Sequence, residues 1–429
     1  MNMRSIAETN KTYLCIGCGA CIVICPNNAI QMESKEIFYP QVDESKCAYC
    51  GKCIDVCPGI SSCAKSMAEK LYSTSRWDVN LGRFRATYLG YSNDYEIRFN
   101  SASGGVATSL ICGLLNERII DGAILTRMSH DNPLRAESFI ARTKEDVISA
   151  QNSKYCPTTP LGVLRELKEG GCGEKFAFVG LPCQIQGLRK LQEREEWLKE
   201  KIIINIGLLC SHSITIDGTK AILSKFDKDF SNVAELRYRG GGWPGGLSVI
   251  YRNGNRFDIP LNDYWPSLFA PYFFTPYRCL TCNDFAAELA DISLGDAWLK
   301  EVIEKDDTGT SLIIVRSSMA EELLSLVRED GEITLEAIPH EKVIKAQRGI
   351  LARKKIGVGA RINVLKFLHK PIPQYDQEFS SSFSGYFGAT LSIFDAFISR
   401  TIFGQKLLKC IPKRILKVYS AVTLKYSGK

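Results

Sequence analysis

Residues Cys15–Pro26 read CIGCGACIVICP, and residues Cys47–Pro58 read CAYCGKCIDVCP. Each run is C-x2-C-x2-C-x3-C-P. The second repeats the first at an offset of 32 residues, with Gly19 and Gly51 in register, and likewise Ile22 and Ile54. These eight cysteines belong to a chain of 429 residues with 17 cysteines in all. The count is odd and too sparse for a small disulfide scaffold. The cysteines therefore read as metal ligands in a reducing compartment.

The spacing has a physical reason. Three thiols two residues apart wrap a tight loop around one face of an iron–sulfur cubane. Gly17, Gly19 and Ala20 let backbone amides approach its sulfides. The fourth cysteine is expected to start a short helix, its proline ending the loop. In this run, that of bacterial two-cluster ferredoxins, the fourth cysteine ligates the other cluster. Cys15, Cys18, Cys21 and Cys57 are thus assigned to one [4Fe-4S] cluster, and Cys47, Cys50, Cys53 and Cys25 to a second. Two zinc sites are the alternative, since zinc also takes C-x2-C pairs. Eight thiols in a duplicated run with both prolines favour the clusters, which carry single electrons and name no substrate.

The length suggests two or three domains. With 45% hydrophobic and 24% charged residues, a packed core is expected. The amino terminus is polar, without the apolar stretch of a signal peptide, and no run of 18 apolar residues occurs, so a cytoplasmic protein is expected. The net charge of +7 is uneven. Residues 340–429 hold 17 Lys and Arg against 4 Asp and Glu, a balance of +13, which leaves −6 on the first 339. Nucleic-acid binding by the whole molecule is therefore not expected.

From Arg83 to Ile338, apolar strands alternate with amphipathic helices, which predicts an α/β layered domain. Strands are expected at 122–127, 175–180, 202–209 and 312–316, and helices at 105–116, 144–151, 184–194 and 319–328. GGGWPGG (240–246) reads as a loop. DYWPSLFAPYFFTPY (263–277) reads as a buried irregular segment or a lid. Cys183 follows the strand 175–180, and Cys210 follows the strand 202–209. In an open parallel sheet such strand ends share one edge, where ligands bind. Cys279 and Cys282 form a further C-x2-C pair. The four together suit a third [4Fe-4S] cluster, with zinc or inert buried thiols as the alternatives. Cys63, Cys112, Cys156, Cys172 and Cys410 stand alone and are expected to pack in the core.

Clusters move one electron at a time, whereas organic reductions use pairs. A flavin joins the two regimes. No G-x-G-x-x-G follows a strand, so a dinucleotide site of that type is not indicated. The candidate is Asn100–Thr108 (NSASGGVAT), where hydroxyls and glycines precede a helix and offer free N–H groups to a phosphate. An ordinary serine cap with a tight turn is the alternative. Asn152-Ser153-Lys154-Tyr155 offers an amide, a cation and a ring, or is simply a solvated loop.

These pieces resemble the beta-subunit family of coenzyme F420 hydrogenases and dehydrogenases, fused to an N-terminal ferredoxin module. The resemblance rests on SASGGVATSLICGLL from Ser101, QNSKYCPT from Gln151, FVGLPCQIQGLRK from Phe178, IGLLCSHS from Ile206, RYRGGGWPGGL from Arg237 and CLTCNDFAAELADISLGDAW from Cys279. It implies an α+β ferredoxin-like module over residues 1–65 and an α/β flavin-binding domain over 83–350; beyond these, the mixture of cations and apolar residues reads as a helical basic tail over 355–429. It implies an iron–sulfur oxidoreductase that carries FAD and exchanges electrons with a small two-electron substrate. Relatives use the deazaflavin coenzyme F420, sulfite, or a chlorophyll derivative with ferredoxin. Cys183, Cys210, Cys279 and Cys282 match cluster-ligand positions. Ser101, Ser103, Gly104, Gly105 and Thr108, with Ser153, Lys154 and Tyr155, match the flavin region. Glu288, Asp291, Gly295 and Asp296 match the last segment, where substrate contact and loop support are both open. The fused module and the basic tail depart from the simple beta subunit.

No nucleophile or general base is readable. Of His130, His212, His340 and His369, only His212 lies near the proposed chemistry, where a structural role is expected. The tail, broken by Pro412 into two helices, reads as an anchor on an anionic membrane or a partner, or as helices packed on the chain's own core. Three rivals to an F420-linked enzyme stand. They are a ferredoxin-dependent reductase of an organic metabolite such as a glycan precursor, an electron-transfer subunit whose substrate site is on a partner, and a zinc-stabilised binding module.

Overall fold

The computed structural model describes residues 5–73, 76–168, 173–226 and 229–428. Its centre is a sheet of eight strands: β1 (Ala86–Ser92), β2 (Gly122–Met128), β3 (Ala136–Ala141), β4 (Phe176–Gly180), β5 (Ile202–Leu208), β6 (Ile292–Asp296), β7 (Ser311–Val315) and β8 (Ile333–Ala337). Their spatial order is β8-β1-β7-β6-β5-β4-β2-β3. The middle strands β2, β4, β5 and β6 are parallel. The outer strands pair antiparallel. The expected parallel sheet is therefore mixed. Only residues 129–135 join β2 to β3, too few for the crossover that parallel neighbours need.

Both faces of the sheet are covered, so its central strands are apolar throughout. Ala123, Leu125, Ala177, Ile204 and Ile206 pack on one face with helices Val106–Asn116 and Ser318–Glu329. The alternate residues Ile124, Phe176, Phe178 and Ile202 pack on the other with helix Pro182–Gln192. The cysteine-rich N-terminal segment docks on that second face through Val23, Ile24 and Val56. Leu161 N–H donates to the Cys18 carbonyl at 2.9 Å. Lys190 Nζ donates to Ser61 Oγ at 2.6 Å and to the Cys57 carbonyl at 3.3 Å.

In each cysteine run the short helix precedes the fourth cysteine, contrary to expectation: Ala20–Ile24 ends before Cys25, and Lys52–Asp55 before Cys57. The proline explains it. A residue before proline is driven out of the α region, and Cys25 is extended at φ −72°, ψ 111°. The segment 263–277 is a buried turn, with helix Leu261–Tyr264 running into a π-helical turn at Trp265–Phe269. The loop 240–246 joins two strands of a three-stranded antiparallel sheet and holds a cis Trp243–Pro244 bond.

The C-terminal segment is part of the body. Arg361 is fully buried and donates to the Leu280 carbonyl at 2.7 Å. Gln374–Tyr375 pairs with Ser61–Ser62. Among the lone cysteines, Cys112 and Cys156 are buried and Cys63 is half-buried, whereas Cys410 is exposed at a helix end rather than packed in the core. Cys172 lies outside the described residues.

Candidate redox centre

Three groups of thiols and one large cavity adjoin in succession. Cys25, Cys47, Cys50 and Cys53 all wall a small cavity of about 30 Å³, together with Gly51. Ala29 N–H donates to Cys25 Sγ at 3.3 Å. Next come Cys15, Cys18, Cys21 and Cys57. Burial pushes the Cys18 thiol up to about 12, and repulsion from Cys57 adds to it. Cys15 is raised by burial, then by Cys57 and Cys18. Cys21 is raised by burial, by these three neighbours, and also by Cys53 of the first group.

Helix Pro182–Gln192 separates this group from the third. A Cβ added at Gly187, midway along it, would lie 3.5 Å from Cys18 Sγ. Cys183 sits in its first turn, directly after β4. Cys183 is raised by burial and then by Cys282, Cys210, Cys279 and, more weakly, Cys18. The strand ends of β4 and β5 thus bring Cys183 and Cys210 to the C-x2-C loop. Two buried cations, Arg278 and Lys354, face the group. Burial alone would raise Cys282, yet Lys354 and Arg278 hold it below its ordinary range. Among the described residues, no three Cys, His, Asp or Glu side chains converge as one bound ion requires. A cubane spreads its four thiolates more widely.

Cys210 also lines a cavity of about 450 Å³ at the carboxyl edge of the parallel strands, within the range of small-molecule sites. Ser101, Ser103, Gly105, Thr108, Ser153, Lys154 and Tyr155 all lie on its wall. Gly104 does not. Its added Cβ would meet Gly90 O at 2.5 Å and Ser311 N at 2.7 Å, so it is the point where the turn crosses the sheet edge. Gly105 takes the left-handed φ of 79°, which suits glycine, and starts helix Val106–Asn116 without a side-chain cap. Val106, Ala107 and Thr108 at that uncapped start line the cavity. Lys154 Nζ donates to the Gln151 carbonyl at 2.6 Å and the Asn152 carbonyl at 3.0 Å. Burial lowers its pKa to about 7.

Arg239, within the segment RYRGGGWPGGL, is the cavity's principal organiser, a role that no local pattern in the sequence announces. It is 2% exposed. Its guanidinium donates to Ala102 O at 2.8 Å, to Pro244 O at 2.7 Å, and to both oxygens of Asp296 at 3.1 and 3.3 Å. Trp243 Nε1 donates to the same carboxylate at 2.9 Å. Asp296 and Gly295 thus stand on the cavity wall. Asp291 instead holds the loop, accepting from Asn205 N at 2.8 Å and Arg189 at 3.0 Å. Glu288 pairs with Lys355. His212 also lines the cavity, and burial holds its pKa well below 6.5. Its Nε2–H donates to Phe269 O at 2.9 Å, and Ser211 Oγ lies 3.0 Å from Nδ1.

Comparison with known proteins places this architecture. The family patterns for the N-terminal and C-terminal parts of the coenzyme F420 hydrogenase/dehydrogenase beta subunit match residues 87–165 and 173–341, respectively. A "4Fe-4S dicluster domain" matches 14–59. A coenzyme F420-dependent sulfite reductase of Methanocaldococcus jannaschii is 30% identical over 80% of this chain, which spans 50% of that relative's length. A coenzyme F420 hydrogenase subunit beta of Methanothermobacter thermautotrophicus is 26% identical over 65% of this chain and 98% of its own. A chain of the F420-reducing [NiFe] hydrogenase complex of Methanosarcina barkeri shares the fold at a TM-score of 0.55, with 22% identity, covering 70% of this chain and 99% of that one. The class is that of iron–sulfur electron-transfer subunits of hydrogenases and reductases. Within it, the chain belongs to the coenzyme F420 hydrogenase/dehydrogenase beta-subunit family and carries an N-terminal 4Fe-4S dicluster domain. Among the described residues, no helix is long and apolar enough to cross a membrane.

Proposed function

We propose that the chain is an iron–sulfur flavoprotein oxidoreductase. In this reading Cys47, Cys50, Cys53 and Cys25 hold one [4Fe-4S] cluster, Cys15, Cys18, Cys21 and Cys57 a second, and Cys183, Cys210, Cys279 and Cys282 a third. FAD occupies the large cavity. The observation that carries the reading is the succession itself: thiol group meets thiol group, and Cys210 belongs to both the last group and the cavity wall.

The residues suit these groups. The thiols of Cys15, Cys18, Cys21 and Cys183, raised by burial and by their neighbours, release protons when iron supplies the opposite charge. The uncapped helix start beyond Gly105 and the half-buried Lys154 suit a phosphate. Trp265 and Tyr155, with ring centroids 5.4 Å apart, offer an aromatic wall for a flat ring. A bound flavin supplies the exchange between single electrons and pairs. Arg239 and Asp296 fix the turn at Ala102 against the Trp243 loop, and the aromatic turn at Trp265–Phe269 limits water.

The two-electron partner is coenzyme F420 or a small organic metabolite reduced at the expense of ferredoxin. Turnover with reduced F420 against turnover with reduced ferredoxin separates these. Relatives named as subunits of hydrogenases also favour a redox partner protein. If the isolated chain turns over neither, its substrate site lies on that partner. Anaerobic purification with iron, sulfide and flavin analysis tests the core of the proposal. About twelve iron atoms, four per cubane, with one FAD support it. About eight iron atoms with Cys183, Cys210, Cys279 and Cys282 still reactive as free thiols would remove the third cluster, and absence of flavin would remove the oxidoreductase reading.

A further inference from the structure

The last three helices, Phe383–Ile398, Ile402–Cys410 and Lys413–Ser427, present large apolar side chains to water. Phe383 is 95% exposed, Ile402 76%, Phe403 70% and Val418 66%. These are not loose ends. On the inner side Ile393, Ala396, Leu408 and Leu416 are buried. Asp395 Oδ1 accepts from Tyr419 OH at 2.5 Å, tying the first helix to the last. Lys225 Nζ donates to the Leu408 carbonyl at 2.7 Å. Each helix therefore has a second, outward apolar face. Phe383, Phe387 and Phe394 recur at helical spacing, as do Ile415, Val418 and Val422. The rings of Phe387 and Tyr426, at 5.2 Å, join the first and last helices on this side.

Charge names the occupant. Residues 383–429 contain eight Lys and Arg and a single acid, Asp395, and that acid is buried. No carboxylate side chain is exposed on these helices. Lys406, Lys409, Lys413, Arg414 and Lys425 are all exposed between the apolar residues. A second copy of this face would set like charges against like. Nucleic acid would meet the cations but leave the phenylalanines in water. A surface of anionic headgroups above hydrocarbon satisfies both.

We propose that this face binds an anionic phospholipid surface, with the helices lying in the interface. None is long and apolar enough to cross it. The proposal is independent of the redox reading.

The test is flotation of the full anaerobically purified chain with phosphatidylglycerol vesicles and with phosphatidylcholine vesicles, at low and high salt. Flotation with the first at low salt, lost at high salt and absent with the second, is expected. The triple variant K406Q/K413Q/R414Q should bind roughly 100-fold more weakly, the effect of about 1 kcal/mol per cation near such a surface. The variant F394S/I402S/F403S should fail to float. All six positions are exposed, so unchanged thermal melting checks that both variants fold. Failure of the wild type to float at low salt overturns the proposal. So does flotation that survives either set of substitutions. Saturable capture by an acidic protein without vesicle binding would assign the face to that partner instead.

Discussion

Removing Arg239 or Asp296 should expose how much of the cavity depends on one ion pair. The Arg239 side chain is 3% exposed and that of Asp296 22%. Taking away one member of a buried pair costs about 3–5 kcal/mol. In Arg239→Met, Asp296 keeps the Trp243 indole N–H at 2.9 Å and some water, which sets the loss near the lower end, about 3 kcal/mol. In Asp296→Ala, the guanidinium keeps the Ala102 and Pro244 carbonyls and a long contact to the Tyr155 hydroxyl at 3.5 Å, but no counter-charge, in a nearly dry site. That loss should reach the upper end, about 5 kcal/mol. The double variant removes both charges and should lose less than the sum by about 2 kcal/mol or more. Urea unfolding of the four proteins closes the cycle. Trp243 and Trp298, whose rings lie 4.9 Å apart, give a fluorescence signal local to the pair. If Arg239→Met stays within about 1 kcal/mol of wild type, or the double variant loses the full sum, the pair does not organise the cavity as argued.

Lys354→Met removes a buried positive charge beside the third thiol group. In the cluster proposed there, the reduced state is the more negative, so its midpoint potential should fall. At roughly 7 Å and an effective dielectric near 20, one charge amounts to about 2 kcal/mol, on the order of 100 mV for one electron. EPR-monitored redox titration reads the shift, and an unchanged potential would separate Lys354 from that cluster. Burial lowers the Lys154 pKa to about 7, so an anion bound nearby should draw a proton onto it. Calorimetry of FAD binding at pH 8, in buffers of differing ionisation enthalpy, should show proton uptake that disappears in Lys154→Met. The same depression means that the destabilisation from charging Lys154 is present below about pH 7 and is relieved as pH climbs towards its unfolded value of 10.5. Asp395 shifts the other way: burial raises it to about 7 from 3.8. Its contribution is full below about pH 4 and is lost as pH rises through 7. Asp395→Asn should therefore melt with a smaller difference between pH 5 and pH 8 than wild type, and an equal difference would refute the assignment.

The cysteine runs were legible because ligand chemistry fixes both residue type and spacing. Strands β2, β4, β5 and β7 were legible because sheets covered on both faces leave long apolar runs, and each ends within a residue of its expected limits. Strands β1, β3, β6 and β8 were not. Ile292–Asp296 reads ISLGD, and only its neighbours on the sheet make it a strand. The position of Cys183 beside Cys210 followed from strand ends sharing an edge, which holds because β4 and β5 are parallel even though the whole sheet is mixed. Arg239 could not be read, since its partner Asp296 lies far along the chain and no local pattern links them. Gly104 has a second reason for being glycine. A glycine beside a helix start suggests ligand approach, but here close backbone contact with β1 and β7 requires it.

Lys354 and Arg361 tie the C-terminal segment to the third thiol group. Both are buried, with Lys354 against Cys282 and Arg361 on the Leu280 carbonyl. Three thiolates and a fourth brought together in a dry site repel one another unless cations are built in beside them. The first of these cations, Arg278, directly precedes Cys279 of the C-x2-C loop. The others arrive from a helical segment far downstream, which then runs on into the apolar, basic face. One continuous stretch of chain thus supplies charge to the proposed third cluster site and forms the apolar, basic outer face. If the Cys183 group holds the proposed cluster, cutting the chain before Lys354 should release iron from it before the N-terminal pair loses any.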